Sequence, residues 1–308
     1  MNKIINNMKS MNIKFARITE AEAQDIIRYE FSRAKLLSYA PLFDRYRSTE
    51  KAGQYVDLDF AYLYDLAHID NQLMKLIVCM CLDIERTLKA ILLSDFEQAD
   101  ASDNLVKCFV AENAQFFTEV YNLQNISYAV KHTIADKQVE DLKLDTFLEI
   151  IHYGTLERFV RFFYSQYAPT LYCKTHAPFE KYLIPIRRVR NPSAHNNGII
   201  SQLCLPSSEQ FERNNQLLSF LGRHGISHRT LDTNMSKPVI HDLCNLLYMY
   251  AYYVRKSSTD NLLHKFQGFL ENRCSQNAVY YSKNPALISA YRFLLDVIKI
   301  LNFSKNNT

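Results

Sequence analysis

Tryptophan is absent from these 308 residues, glycine occurs only 6 times and proline 8 times. So few turn formers exclude a turn-dense β protein, and 20 tyrosines with 19 phenylalanines exclude a disordered chain. The 7 cysteines are odd in number and scattered, with no Cys-x-x-Cys pair. That usage fits a reducing compartment and argues against a disulfide framework or a zinc site. A phosphate-cradling glycine loop is missing, which sets aside nucleotide hydrolysis of the P-loop kind. The start, Met1-Asn2-Lys3-Ile4-Ile5-Asn6-Asn7, lacks the apolar core of a signal peptide. No stretch approaches the roughly 18–20 apolar residues that span a bilayer. The best candidate, Leu243 to Val254, is bounded by Asp242 and Arg255 and reads as a buried, aromatic-rich helix. The expectation is a cytoplasmic protein that holds no cofactor and no metal and does not enter a membrane.

What is present is a 48% hydrophobic fraction with helical periodicity. Thr19 and Glu22 form a capping-box signature for a helix to about Leu37. Asp57 to about Asp95 reads as one or two long helices burying Leu66, Ile69, Leu73, Leu76, Ile77 and Met80. Further helices are expected at 136–152, 155–167, 178–190, 193–203, 207–221, 239–256, 259–272 and 285–302. Breaks are expected at Gly154, Ala168-Pro169, Pro206 and across the polar stretch from His224 to Lys237. The fold class is all-α, with one helical domain over 1–205 and an appended C-terminal helical part over 206–308, the alternative being a single domain over both.

The net charge of +4 is uneven. Between Arg158 and Ser208 stand 7 Lys or Arg and a single acid, Glu180, so this segment carries +6 and the remainder −2. A basic segment on a mildly acidic body is the footprint of a polyanion site. At its end lies Arg190-Asn191-Pro192-Ser193-Ala194-His195. A guanidinium can hold phosphate oxygens, and an imidazole can move protons near neutral pH. Pro192 is expected to stop one helix near Arg190 and to open another with Asn191 as its cap. His195 would then sit among the free N–H groups of a helix start, a natural phosphate seat. Arg187, Arg188 and Lys181 would extend the grip along an RNA backbone. Arginine and histidine at this spacing arise by chance about once or twice in such a chain, so the pattern alone is weak. A second copy, Arg223 to His228, stands outside the basic segment and reads as coincidence.

Arg190 through His195 matches the Arg-x(4–6)-His signature of the HEPN superfamily. Three ordered blocks resemble, more narrowly, the abortive-infection (Abi) family of the AbiD/AbiF type. These are Leu66-Ala67-His68-Ile69-Asp70-Asn71-Gln72-Leu73 running on to Asp83-Ile84-Glu85-Arg86, then Tyr153-Gly154-Thr155-Leu156, then Ile186-Arg187-Arg188-Val189-Arg190-Asn191 through His195. They span roughly residues 57–200. The chain departs from the family pattern in lacking an Arg-x-Trp segment after the motif and in having Asn at position 197.

The resemblance implies a HEPN-like helical bundle and an endoribonuclease acting without metal, in phage defence or growth arrest. The ribose 2′-OH would attack the neighbouring phosphodiester and leave 2′,3′-cyclic phosphate and 5′-OH ends. Arg190, Asn191 and His195 would be catalytic, in a cleft shared by a homodimer, with RNA as substrate or inhibitor and a possible antitoxin partner. Two alternatives stay open: an RNA-binding module of the same fold without catalysis, and a helical protein–protein adaptor. Glu85 reads more simply as an intrahelical partner of Lys89, four residues on, than as a group orienting an arginine. His152 reads as a helix C-terminal residue, and Tyr248, Tyr250, Tyr252 and Tyr253 read as core or interface.

Overall fold

A computed structural model describes residues 2–48, 50–115, 138–167, 180–203, 211–254 and 261–306. Their regular elements are helices, and β pairing is confined to two isolated bridges, Lys14 with Asp59 and Arg45 with Tyr55. The all-α class follows from the composition. Several expected helix ends and the breaks at Ala168-Pro169 and Pro206 lie outside the described residues.

The longest element, Phe60–Gln98, is one 39-residue helix without an internal glycine or proline. Asp59 opens it by accepting the Ala61 N–H, and Asp100 closes it in the left-handed conformation at φ 47°. Leu66, Ile69, Leu73, Ile77 and Met80 are buried along the expected stripe, while Leu76 is half-buried. The Thr19–Glu22 capping box is formed, but its helix is Glu20–Tyr29 and stops short of Leu37. Ser32 opens a separate helix, Arg33–Leu37, by accepting the Lys35 N–H. The polar stretch after His224 was expected to be irregular, yet it holds the helix His228–Met235. Ser227 caps that helix, and Leu231 and Met235 bury its thin apolar side.

The chain divides into two compact units, residues 1–81 with 188–308, and residues 82–187. The expected boundary near 206 does not separate them, because 206–308 folds with the N-terminal residues. The reason is non-local. Helix Pro238–Tyr253 is buried nearly all round and packs on Pro285–Asn306, and both contact Ile200–Leu203. Asp65 of the long helix adds polar ties, accepting from Arg273, Asn277 and Tyr281. In the unit formed by 82–187, Phe109, Phe147 and Phe159 make edge-to-face and tilted contacts at 5.1–5.9 Å. Such pairs contribute beyond their buried area. The expected Glu85–Lys89 pair is present at 3.2 Å. His152 does not end the preceding helix, which stops at Ile150, but precedes Tyr153–Gln166 as its N-cap residue. No described helix is long and apolar enough to cross a membrane.

Candidate functional site at the end of the motif helix

The motif lies on one helix, Glu180–Ala194, which runs through both Pro185 and Pro192. The expected restart at Asn191 does not occur. Pro192 has no N–H to offer the Arg188 carbonyl, so a single ladder bond is lost, close to the helix end where the cost is smallest. Burial and end-capping hold that last turn. Val189 and Ser193 are buried, and the Ser193 hydroxyl donates to the Val189 carbonyl at 2.7 Å. Asn196 turns left-handed at φ 56°, its N–H bonds the Ser193 carbonyl at 3.2 Å, and the Asn197 N–H bonds the Pro192 carbonyl at 2.8 Å. This is a Schellman closure with asparagine at its left-handed position, where asparagine is second only to glycine.

His195 is therefore the cap at the carbonyl end of a helix and does not sit in the first turn of a new one. The seat of free N–H groups expected around it is not formed there. The expected helix 193–203 shrinks to Ile200–Leu203 after a short loop. His195 and Asn191 are exposed and Arg190 is half-exposed; Arg190 Nη1 donates to Asn191 Oδ1 at 3.4 Å, a contact that does not include His195. Among the described residues the His195 ring has no hydrogen-bond partner.

The other basic candidates divide sharply. Arg188 is clamped bidentately by Asp242, with Nε donating at 2.7 Å and Nη2 at 2.6 Å. Asp242 is also bonded by His241 Nδ1 at 2.9 Å, while His241 Nε2 accepts the Asn214 N–H at 3.0 Å. An accepting Nε2 leaves the proton on Nδ1, facing the carboxylate. Arg187 pairs through Nε with the buried Glu157 at 3.3 Å, and Arg161 donates to the same carboxylate at 2.8 Å. The Arg187 guanidinium also lies along Gly154, where an added Cβ would meet Nη1 at 3.6 Å. Lys181 is exposed near the start of the helix. The second Arg-x4-His copy is partnered locally: Arg223 Nε donates to the Ser219 carbonyl, and His228 pairs with Asp232 at 2.9 Å.

Sequence reasoning missed what holds the motif loop. Asp70, fully buried on the long helix, accepts from Lys35 Nζ at 2.9 Å, Tyr39 Oη at 2.6 Å, and the N–H groups of Ile199 and Ile200 at 3.0 Å. Lys35 also reaches the Asn196 carbonyl at 3.4 Å. One carboxylate thus fixes the chain directly after His195. Burial first, and then the neighbouring Asp70, push the Tyr39 phenol well above its ordinary range, so it stays a donor. The available signal was an acid within an otherwise apolar stripe, between Ile69 and Leu73.

Gly198 lies in this loop, and a Cβ there would stand 3.1 Å from Ser201 Oγ and 3.2 Å from Asp70 Oδ2. The carboxylate has four donor groups around it and cannot yield. Gly198→Ala is expected to cost about 1–3 kcal/mol in urea unfolding, the usual range for overpacking. An unchanged midpoint would show that the loop shifts freely.

The geometry defines an all-α protein whose Arg190, Asn191 and His195 are presented at the end of a buried-capped helix. A family model described as Abi-like protein matches residues 29–201 and takes in all three sequence blocks. The chain belongs to the Abi-like protein family, which ties it to abortive infection and phage defence. No curated protein and no solved structure matches it. The family blocks coincide with the contacts just described: Asp70 of the first holds the loop after the third, and Gly154 of the second packs on Arg187 of the third.

Proposed function

We propose that this chain is an endoribonuclease of the HEPN type that acts without metal in phage defence or growth arrest. The observation that carries the reading is selectivity of pairing. Arg187 and Arg188 are bound to buried acids, whereas among the described residues no acid lies at ion-pair distance from Arg190 or His195 at the same helix end. Groups carried at the end of a rigid, well-capped helix are positioned more precisely than groups on loops, as a phosphate-binding site requires. In the reaction, His195 would take the proton of a ribose 2′-OH as its oxygen attacks phosphorus. Arg190 would stabilise the phosphorane oxygens, and the 5′-oxygen would leave with a proton, giving 2′,3′-cyclic phosphate and 5′-OH ends. A second copy of the chain would supply the acid, which makes the working form a homodimer. Asn191 would orient phosphate beside Arg190, and Lys181 would meet RNA further along the helix. An antitoxin, protein or RNA, would act by covering Arg190 and His195.

A second reading, RNA binding without catalysis, is favoured by one specific feature. The His195 ring lacks an orienting partner among the described residues, and a general base is normally held by one. One experiment separates the two. Single-stranded RNA is incubated in EDTA with wild type and with His195→Ala, and product ends are identified. Cleavage to 2′,3′-cyclic phosphate ends, lost by at least about 10²-fold in the variant, is the expected result. Equal cutting by both proteins, or cutting only with added divalent metal, removes the proposal. Salt-dependent binding without any product would establish the second reading.

A further inference from the structure

Away from the motif, a polar cavity of about 340 Å³ opens beside the first half of the long helix. Its walls include Arg17, Tyr64, His68, Arg273, Gln276 and Tyr280. We propose that it is a binding site for a phosphate monoester group, carried by a small metabolite.

Three independent observations point there. The run from Leu262 to Gln276 is α-helical except for one π-helical turn, Phe269–Arg273, which ends on the cavity arginine. Such turns are rare inside α-helices and are found frequently at functional sites. Secondly, Arg273 directs Nη2 to the Asp65 carboxylate at 2.6 Å, while its Nη1 is buried with no acceptor. A buried donor without an acceptor is costly, and a small turn of the Arg273 fork toward the cavity would let an anionic oxygen meet it. Thirdly, Arg17 is exposed and has no carboxylate at ion-pair distance among the described residues. Its guanidinium lies 5.1 Å over the Tyr280 ring, which itself stacks on Tyr62 at 4.5 Å.

Asp65, which lines the cavity, and Glu30 nearby are already engaged. Asp65 accepts from Arg273, Asn277 and Tyr281, and Glu30 accepts the Tyr64 hydroxyl at 2.8 Å and lies 3.7 Å from His68. Arg17 also hydrogen-bonds Tyr62 and Arg273 commits Nη2 to Asp65, so the unused donors are the remaining N–H groups of these two guanidinium groups and the exposed Gln276 amide. Planar forks of this kind match tetrahedral phosphate oxygens. The volume lies at the lower end of small-molecule pockets, so a single phosphorylated molecule is the scale of ligand it fits. Nothing in this assignment depends on the ribonuclease reading.

The full chain is titrated by calorimetry with inorganic phosphate and, separately, with AMP, against chloride at equal ionic strength. Wild type, Arg17→Ala, Arg273→Lys and Arg223→Ala are compared. Saturable binding is expected, weakened roughly tenfold or more by Arg17→Ala and by Arg273→Lys, in line with loss of one charged hydrogen bond. Arg223→Ala should bind as wild type does, since this exposed arginine lies outside the cavity and outside the proposed ribonuclease site. Tighter binding of AMP than of phosphate would assign a nucleotide, and equal binding the free ion. Arg17→Ala removes an exposed side chain and leaves the Asp65 cluster intact, so it reports even where Arg273→Lys fails to fold. Absence of saturation by either ligand, or binding indifferent to Arg17→Ala, overturns the site.

Discussion

Asp70→Ala is expected to cost about 3–5 kcal/mol of stability in chemical unfolding. The substitution leaves the Lys35 ammonium, whose side chain is only 11% exposed, without its counter-charge. It also strips acceptors from the Tyr39 hydroxyl and from the N–H groups of Ile199 and Ile200. Each orphaned buried donor adds a desolvation cost of about 1–3 kcal/mol, although these costs do not sum independently. Asp70→Asn keeps one carbonyl oxygen and should recover part of the loss. Amide hydrogen exchange of Ile199 and Ile200 gives the local measure: both should exchange much faster in Asp70→Ala. A variant that keeps its unfolding midpoint and its protection at these two amides would mean that the loop after His195 is held by something else.

The second prediction sets two arginines two residues apart against each other. Arg190→Ala should leave stability within about 0.5 kcal/mol, because its described polar contact is one long bond to Asn191. On the proposed reaction it should lower RNA cleavage by roughly 10²–10³-fold, as loss of a charge-stabilising donor does. Arg188→Ala should do the reverse. It leaves Asp242 buried and without its bidentate partner, beside a histidine whose Nδ1 proton already faces it. Removing one member of a buried pair costs 3–5 kcal/mol, and the 41% exposure of the Arg188 side chain reduces this to roughly 2–3 kcal/mol. Equal stability losses in the two variants would show that Arg190 is as structural as its neighbour, and the case for a site would fail with it.

Much of the fold was legible because its signals are local. The capping box at Thr19 and Glu22, the apolar stripe from Leu66 to Met80, the buried run after Asp242 and the Glu85–Lys89 pair each depend on residues within a few turns of one another. The same holds for the motif itself, which could be located by spacing and charge. The errors have a common origin. Pro192 carries a strong local signal for a helix break, and burial of Val189 and Ser193 with the closure at Asn196 overrides it. The polar stretch 228–235 lacks clear periodicity, but tertiary contact with Leu231 and Met235 makes it helical.

The candidate site shows the same split. Composition and spacing determined by themselves that the chain is all-α, that its positive charge gathers near residues 158–190, and that an arginine and a histidine close that segment. These properties belong to neighbours in the chain, and no long-range contact is needed to read them. Which arginines remain open to a ligand was decided only when acids 30 and 54 residues away, Glu157 and Asp242, reached Arg187 and Arg188. The loop after His195 was fixed by Asp70 across 129 residues. A carboxylate's choice among several cations depends on which of them is buried beside it, and burial is a property of the folded molecule.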